Sequence, residues 1–458
     1  MAMQTAETVI IGAGQAGVPL ARALAEAGRD VLLIERDALG GSCVNFGCTP
    51  SKAVIASARL AAQARRAAEW GVRIPVVEVD FAAVMERARS LVAEQRGELE
   101  GSFRQPGAPR LLRGEARIEG REDGRFRIRV GEAVVLADRL VLDTGSRAAW
   151  PDLPGLEQVP LIDSRNWIEL RERPGHLLFL GGGTIALELA QAYRRLGSAV
   201  TIIESGPQLT EREDPDVAEV LRGVLEAEGI AIYLGAKPSR AEAAGEGVRL
   251  HLEGRVLEGT HLFLAAGRQA NTDALGLDSI GLHPGEKGIL EVDDHLRTGV
   301  EGVFAVGDIR GGPQFTHTAY DDFRILESLF LGDGARTTQR IVPYAIFTEP
   351  ELGRVGLSER EARESGRPYR LGRKPMTESG KARDIGRTEG FIKVLSDPGT
   401  GEILGAAALC DSGAEVVQLF VELMNARAGI RTMLDGVHIH PTLSEAAKNA
   451  VAALEGQS

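Results

Sequence analysis

The chain contains the same strand, glycine turn, helix and strand pattern twice, and this repetition constrains its fold more than any other feature. The two copies occupy residues 8–34 and 176–203. A short apolar segment, followed by a glycine turn and a segment with helical spacing, predicts a parallel βαβ unit in each copy. Two such units predict an α/β protein with two Rossmann-like dinucleotide-binding domains.

The first glycine turn reads Gly12-x-Gly14-x-x-Gly17 and lies between a predicted strand and a predicted helix. Glycines let the backbone approach a pyrophosphate, which then lies at the helix N-terminus. Glu35 ends the next strand, where a carboxylate accepts hydrogen bonds from a ribose hydroxyl. The pattern predicts a dinucleotide site, and a tight turn that binds nothing is the alternative.

The second turn, Gly181-x-Gly183-x-x-Ala186, repeats this pattern, and Glu204 closes its second strand. A carboxylate at this position repels the 2′-phosphate of NADPH, so we predict NADH as the preferred coenzyme, with NADPH still possible. Arg212 is the nearest arginine that follows Glu204.

Composition excludes several classes of protein. A chain of 458 residues is too long for one ordinary domain, and its formal charge of −12 argues against nucleic acid as a partner. We find no apolar run of about 18 residues and no export signal, so we expect a cytoplasmic protein without a membrane partner. Three cysteines cannot form a disulfide framework.

The segments outside the two βαβ copies have their own patterns. Residues 54–69 and 79–100 have helical spacing, whereas residues 109–142 alternate apolar and polar side chains, as short antiparallel strands do. From about residue 340 onward the pattern is mixed and has no third glycine turn. We therefore expect a separate α+β domain over 340–458.

The segment 40–52 contains Cys43 and Cys48, five residues apart. This spacing on an irregular helical turn allows the geometry of a disulfide, and a helix N-terminus with the nearby Lys52 would stabilise a thiolate. A zinc half-site and two inert buried thiols are the alternatives, although zinc requires two further ligands and no second cysteine pair exists. We expect no metal site, and we expect Cys410 to be buried and inert.

The stretch Gly-Gly-Ser-Cys-x4-Cys-Thr-Pro-Ser-Lys, after an N-terminal dinucleotide motif, resembles the FAD-dependent pyridine nucleotide–disulfide oxidoreductases. These include dihydrolipoamide dehydrogenase, glutathione reductase and mercuric reductase. Segment 303–308 is similar to the family's second FAD motif, and segments 144–146 and 266–268 are similar to its two interdomain crossovers. Segment 344–356 resembles the start of its dimerisation domain, so the resemblance covers nearly the whole chain.

The resemblance implies three domains. An FAD-binding domain has two parts, residues 1–148 and 271–339. An NAD(P)H-binding domain covers residues 149–270, and a dimerisation domain covers residues 340–458. It also implies further cofactor contacts. For FAD these are Gly41, Ser42, Lys52, Ala116, Thr144, Gly145 and Asp308, and for the nicotinamide coenzyme Gly267 joins the second glycine loop.

The resemblance further implies a relay of electrons from NADH through the flavin to a Cys43–Cys48 disulfide. Cys48 would lie nearer the flavin and hold the thiolate, while Cys43 would attack the substrate. Lys52 matches the lysine beside the flavin, and Glu188 matches its ion-pair partner. An exposed helix charge is the alternative for Glu188.

Near the C-terminus, His440 and Glu445 have two interpretations. Thr442 and Glu445 form the pattern of a helix capping box, which needs no catalysis. Alternatively, Glu445 orients the His440 imidazole, which exchanges protons with the Cys43 thiol. In the resembled family this dyad reaches the disulfide of the other subunit, so the resemblance implies a homodimer. A metal site at His438 and His440 is a further, weaker alternative.

Among the family members, the helix after the second glycine loop looks most similar to mercuric reductase and its relatives. The chain lacks a C-terminal cysteine pair, however, and it keeps the dyad histidine, so we leave the small-molecule acceptor as a disulfide or a metal ion. Dihydrolipoamide dehydrogenase is the main alternative. An NADH-binding redox sensor flavoprotein is the second, and an NADH oxidase is a weaker third.

Overall fold

The computed structural model describes residues 3–454, and each βαβ copy forms the centre of its own sheet. The α-helices are α1 Gly17–Glu26, α2 Gly41–Asn45, α3 Cys48–Arg66, α4 Phe81–Ser102, α5 Thr184–Arg195, α6 Pro215–Ala227, α7 Thr316–Leu331, α8 Glu359–Glu364, α9 Gly380–Asp384, α10 Gly413–Val416, α11 Gln418–Asn425, α12 Ile430–Asp435 and α13 Leu443–Ala452.

The strands are β1 Met3–Ile11, β2 Val31–Glu35, β3 Arg110–Arg113, β4 Ala116–Glu122, β5 Arg125–Val130, β6 Ala133–Leu142, β7 Ser146–Ala148, β8 Leu161–Ile162, β9 His176–Leu180, β10 Ala199–Ile203, β11 Ala231–Tyr233, β12 Arg240–Ala244, β13 Gly247–Leu252, β14 Arg255–Gly259, β15 His261–Leu264, β16 Arg268–Ala270, β17 Val303–Ala305, β18 Tyr344–Ile346, β19 Glu351–Gly356, β20 Arg370–Pro375, β21 Phe391–Ser396 and β22 Ile403–Cys410. Short 3-10 turns connect several of these elements.

The first sheet has the order β3-β2-β1-β6-β5-β4, and β17 pairs with β6. The prediction of antiparallel strands throughout 109–142 is wrong in part. Only β4, β5 and β6 pair antiparallel with one another, whereas β3 is parallel to β2, and β6 is parallel to β1 and β17. Most of β6 is buried, as is typical of a strand covered on both faces of a parallel sheet.

The second sheet has the order β11-β10-β9-β15-β8 and is parallel throughout. A three-stranded antiparallel sheet, β12-β13-β14, follows in the same part of the chain. The two segments that resemble interdomain crossovers form a small antiparallel pair, since Ser146 on β7 lies opposite Ala270 on β16. This pair joins the first sheet to the second.

The C-terminal part contains the five-stranded antiparallel sheet β18-β19-β22-β21-β20 with α10 to α13, in agreement with an α+β segment. A fully buried lysine on β21 connects this sheet to the start of α6. The Lys393 Nζ atom lies 2.8 Å from Oδ2 of Asp214 and 2.8 Å from Oδ1 of Asp216. Within residues 3–454, no helix is long and apolar enough to cross a membrane.

The helix predicted over 54–69 begins earlier, at Cys48. Pro50 lies in its first turn, where a missing backbone N–H breaks no helical hydrogen bond. As a result, Cys48 and Lys52 lie on one continuous helix, and the second cysteine is placed at its N-terminus.

We predict that Gly12→Ala destabilises the fold far more than Gly28→Ala. Both glycines have positive φ, +106° and +74°, so both variants incur a backbone cost of about 1 to 2 kcal/mol. A Cβ atom at Gly12 would also overlap the Asp143 carbonyl oxygen, whereas a Cβ at Gly28 meets nothing within 4 Å. Thermal unfolding of the two variants measures the difference, and equal losses of Tm would contradict this account.

Candidate active site

One cavity of about 2750 Å³ connects the two glycine loops with the cysteine pair. The carboxyl ends of β1 and β9 open into it, because in parallel sheets the loops after the strands meet at the same edge. Most of the predicted cofactor residues line this cavity: Gly12, Gly14, Glu35, Gly41, Ser42, Lys52, Ala116, Thr144, Gly145, Gly181, Gly183, Glu204, Gly267 and Asp308. Gly17 lies behind the first loop and is buried.

The first glycine loop packs against Asp143, which follows β6. The Gly17 N–H donates to Oδ2 of Asp143 at 2.7 Å, and a Cβ at Gly14 would approach the same oxygen to 2.6 Å. Burial raises the pKa of Asp143 well above its usual value, and the hydrogen bond from Gly17 opposes this shift. A Cβ at Gly17 would come within 2.3 Å of the Gly12 carbonyl oxygen, so both positions lack room for a side chain. Asp143 was missed by the sequence analysis.

Glu35 and Glu204 are held in the same way at the two loops. The carboxylate of Glu35 accepts hydrogen bonds from the backbone N–H groups of Ala13 and Asp37, both at 2.7 Å. The carboxylate of Glu204 accepts hydrogen bonds from the backbone N–H groups of Gly182 and Gly206, both at 2.6 Å. Each carboxylate therefore fastens its glycine loop to the end of the second strand.

Asp308 lies where the small β7–β16 pair meets the first sheet. It accepts hydrogen bonds from the Ser146 hydroxyl and, at 3.2 Å, from Nη2 of Arg268. Arg268 also donates through Nε to the Ser146 hydroxyl at 2.7 Å. The predicted FAD contact Asp308 thus has two fixed partners, and the sequence patterns identified neither partner as part of the site.

The predicted cysteine pair lies at the centre of the cavity, with Cys43 on α2 and Cys48 at the start of α3. Both are free thiols, Cys43 half-buried and Cys48 exposed to the cavity. The Cys48 Sγ atom lies 3.1 Å from the hydroxyl of Thr316, the first residue of α7. The third cysteine, Cys410, is buried, and burial raises its pKa to about 12.

The two thiols differ in acidity. The hydrogen bond from Cys43, with further contributions from Thr316 and Lys52, lowers the pKa of Cys48 to about 6 against the opposing effect of burial. The same contact with Cys48, together with burial, raises the pKa of Cys43. In the reduced pair, Cys48 is therefore the more acidic of the two thiols and Cys43 the less acidic.

Lys52 and Glu188 form an ion pair that joins α3 to α5, with the Lys52 Nζ atom 2.8 Å from Oε2 of Glu188. The alternative of an exposed helix charge is wrong, because Glu188 is 5% exposed. The other carboxylate oxygen, Oε1, accepts the backbone N–H of Phe347 at 3.0 Å, and the Phe347 ring lies 4.3 Å from the ammonium. The ammonium is therefore fixed close to the cysteine pair.

His440 and Glu445 also form the predicted pair, since Nδ1 of His440 lies 2.8 Å from Oε2 of Glu445. The capping box is only half present. Thr442 caps α13 by accepting the Glu445 N–H at 3.1 Å, but the Glu445 carboxylate faces His440. The pair lies outside the cavity of its own chain, and the neighbouring Val437 and Ile439 are 100% and 79% exposed.

We predict that Thr316→Val raises the pKa of Cys48, because the Thr316 hydroxyl contact lowers it in the native site. Alkylation of the reduced protein by iodoacetamide, followed at Cys48 by mass spectrometry across pH, measures the change. Half of the maximal rate should occur near pH 6 in the native chain and at higher pH in the variant. Thr49→Val is the matched control, since the Thr49 hydroxyl bonds to Gln95. An unchanged profile in Thr316→Val would contradict the prediction.

Comparisons with known proteins identify one family. Residues 6–322 match the sequence profile of the pyridine nucleotide-disulphide oxidoreductases, and residues 342–451 match that of their dimerisation domain. A probable pyridine nucleotide-disulfide oxidoreductase of Escherichia coli, RclA, is 32% identical over 97% of this chain and 98% of its own length. The dihydrolipoyl dehydrogenase of Chlamydia muridarum is also 32% identical, over 98% of this chain and 97% of its own.

The same family appears among solved structures. The Cu(II) complex of the HOCl-induced flavoprotein disulfide reductase RclA from Escherichia coli superposes with a TM-score of 0.89 at 32% identity, over 98% of this chain and 99% of the other. With its two glycine loops, cysteine pair and dimerisation domain, the chain belongs to the FAD-dependent pyridine nucleotide–disulfide oxidoreductases, enzymes that use NAD(P)H as the electron donor.

Proposed function

We propose that the enzyme carries electrons from NADH through a Cys43–Cys48 disulfide to a small-molecule disulfide. The observation that carries the proposal is the asymmetric setting of the cysteine pair. The Cys48 sulfur lies 3.1 Å from the Thr316 hydroxyl, its pKa is lowered, and the pKa of Cys43 is raised. An inert pair of thiols needs no such asymmetry, whereas a dithiol that reduces a disulfide does.

The residues around the first loop fit FAD. Gly12, Gly14 and Gly17 let the loop pack tightly over Asp143, and the loop residues from Gly12 to Gln15 line the cavity. Helix α1 begins directly after this loop, so the positive end of its dipole favours a phosphate there. We assign the ribose to Glu35 and the ribityl chain to Asp308. When bound, FAD supplies an acceptor for hydride and a donor of electron pairs.

The chain's own residues then perform the exchange with substrate. The Cys43 sulfur, once deprotonated, attacks one sulfur of the substrate disulfide, which forms a mixed disulfide and releases the first thiol. The Cys48 thiolate attacks the Cys43 sulfur, which restores the Cys43–Cys48 bond and releases the second thiol. Each turnover of the dithiol consumes one proton and yields two substrate thiols.

Because burial and Cys48 raise the pKa of Cys43, this thiol needs a base. We assign that role to His440, whose Nδ1 faces the Glu445 carboxylate and leaves Nε2 for proton exchange. The pair lies outside the cavity of its own chain, so the base for Cys43 is the partner subunit's His440. The family's dimerisation domain at residues 342–451 supports a homodimer.

A second candidate acceptor is a metal ion. The structural relative with a TM-score of 0.89 is a Cu(II) complex, and mercuric-reductase-like relatives were expected from the sequence. Reduction of a metal ion releases the Cys43 proton and passes none to the acceptor, whereas reduction of a disulfide to two thiols also requires protons to be delivered to the products. The His440–Glu445 pair therefore favours a disulfide acceptor such as a lipoyl group, the oxidised form of the dihydrolipoyl group in the name of the chlamydial relative.

The deciding experiment is NADH consumption by the native enzyme and by His440→Ala, with lipoamide, glutathione disulfide, Hg(II) and Cu(II) as acceptors. We expect turnover of one disulfide, reduced by at least tenfold in His440→Ala. His438→Ala is the matched control because His438 lies two residues before His440 and is not part of the predicted His440–Glu445 dyad. Turnover of a metal ion alone, unchanged in His440→Ala, would replace the disulfide proposal with metal reduction.

We also predict that Cys43→Ser abolishes disulfide turnover while NADH still reduces the flavin. The serine cannot attack a disulfide, but the coenzyme contacts at the second glycine loop lie on another part of the chain. Stopped-flow absorbance of the flavin measures the retained step. Loss of both reactions would contradict the proposed order.

In the native enzyme, flavin reduction without the appearance of thiols would favour the redox sensor.

The preference for NADH over NADPH rests on Glu204, whose carboxylate is held by Gly182 and Gly206. We predict that Glu204→Gln lowers the NADH to NADPH ratio of kcat/KM by at least fivefold, because the repulsion of the 2′-phosphate is removed. Glu211→Gln, a change of an exposed carboxylate on the same cavity, is the control. An unchanged ratio in Glu204→Gln would refute the assignment.

A further inference from the structure

A buried tryptophan from another part of the chain contacts the loop between the two cysteines. The indole Nε1–H of Trp167 donates to the backbone carbonyl of Phe46 at 2.8 Å. Trp167 is 1% exposed and belongs to the core that also packs against the Phe46 ring. These two residues are 121 positions apart, so the contact joins separate parts of the sequence.

The contact fixes one peptide group in the redox loop from both sides. The peptide between Phe46 and Gly47 donates its N–H to the Ser42 carbonyl at 2.6 Å and accepts the Trp167 indole N–H through its carbonyl. Helix α3 cannot extend backwards to satisfy this carbonyl, because Pro50, four residues on, has no N–H. Trp167 therefore supplies the donor that the local sequence cannot.

The segment that carries Trp167 is itself held in place. Arg89, on α4, donates to the carbonyls of Ile168 and Leu170 at 3.0 and 3.3 Å. The Arg165 guanidinium lies 5.2 Å from the centre of the Phe46 ring and also binds the Asp37 carboxylate. These contacts hold the Trp167 segment in place, so the position of the indole N–H relative to the loop between the cysteines is fixed.

We infer that Trp167 is a positioning residue that sets the equilibrium between the dithiol and disulfide forms of Cys43 and Cys48. The inference rests on the proposed redox role of the pair. In the reductive step the S–S bond breaks and NADH supplies the hydride, so that NADH and the disulfide become NAD⁺, a Cys43 thiol and a Cys48 thiolate. The S–S bond closes the loop from Cys43 to Cys48 into a ring. A peptide group already fixed in that loop reduces the conformational entropy lost on closure, which favours the disulfide.

The test removes the indole N–H with little change in shape. We compare the native enzyme with Trp167→Phe and with a chain that carries benzothienylalanine at position 167, in which sulfur replaces the N–H. Each holoenzyme is equilibrated in dithiothreitol redox buffers, and the two forms of the pair are counted by alkylation and mass spectrometry. Trp150→Phe, a change of an exposed tryptophan, is the control.

We expect both substitutions at position 167 to shift the equilibrium toward the dithiol by about twofold to fivefold, at most the value of one hydrogen bond, which corresponds to about 10 to 20 mV. Trp150→Phe should match the native enzyme. A native equilibrium in the benzothienylalanine enzyme would overturn the inference, even if Trp167→Phe shifts through altered packing. A native enzyme that forms no Cys43–Cys48 disulfide in any buffer would instead overturn the proposed function.

Discussion

The structure depends on a close approach between each glycine turn and the residue that follows the neighbouring parallel strand, β6 for the first turn and β15 for the second. A side chain at Gly12 would overlap the carbonyl of Asp143, and one at Gly181 would overlap the carbonyl of Ala265. Only at this separation can the following helix start at the edge of the sheet, with its N-terminus facing the cavity. The positions of both coenzyme sites, and of the cysteine helix between them, follow from these two contacts.

The parts of the site that the sequence predicts are those in which chemistry follows from local spacing. The glycine loops, the carboxylates that end the second strands and the pair His440 and Glu445 are recognisable because their partners lie within about 25 residues, inside one supersecondary unit. Lys52 and Glu188 are 136 positions apart, and only the resemblance to a family brought them together.

The remaining residues depend on contacts that no local pattern encodes. Thr316 reaches Cys48 across 268 positions, and Asp143 reaches Gly17 across 126. Neither residue differs in type or spacing from an ordinary helix start or strand end. The pairing of β6 was misjudged for a similar reason, since alternation over 109–142 reports burial but not the direction of the neighbouring strand.

The separation of His440 from the cavity of its own chain has a consequence for the enzyme in the cell. Under the proposed function, a lone subunit holds a complete path for electrons but no proton acceptor for Cys43. Turnover then depends on the concentration of the protein. Below the dissociation constant of the dimer, single subunits accept electrons but cannot transfer them to a disulfide. The abundance of the protein would thus act as a threshold on its own activity.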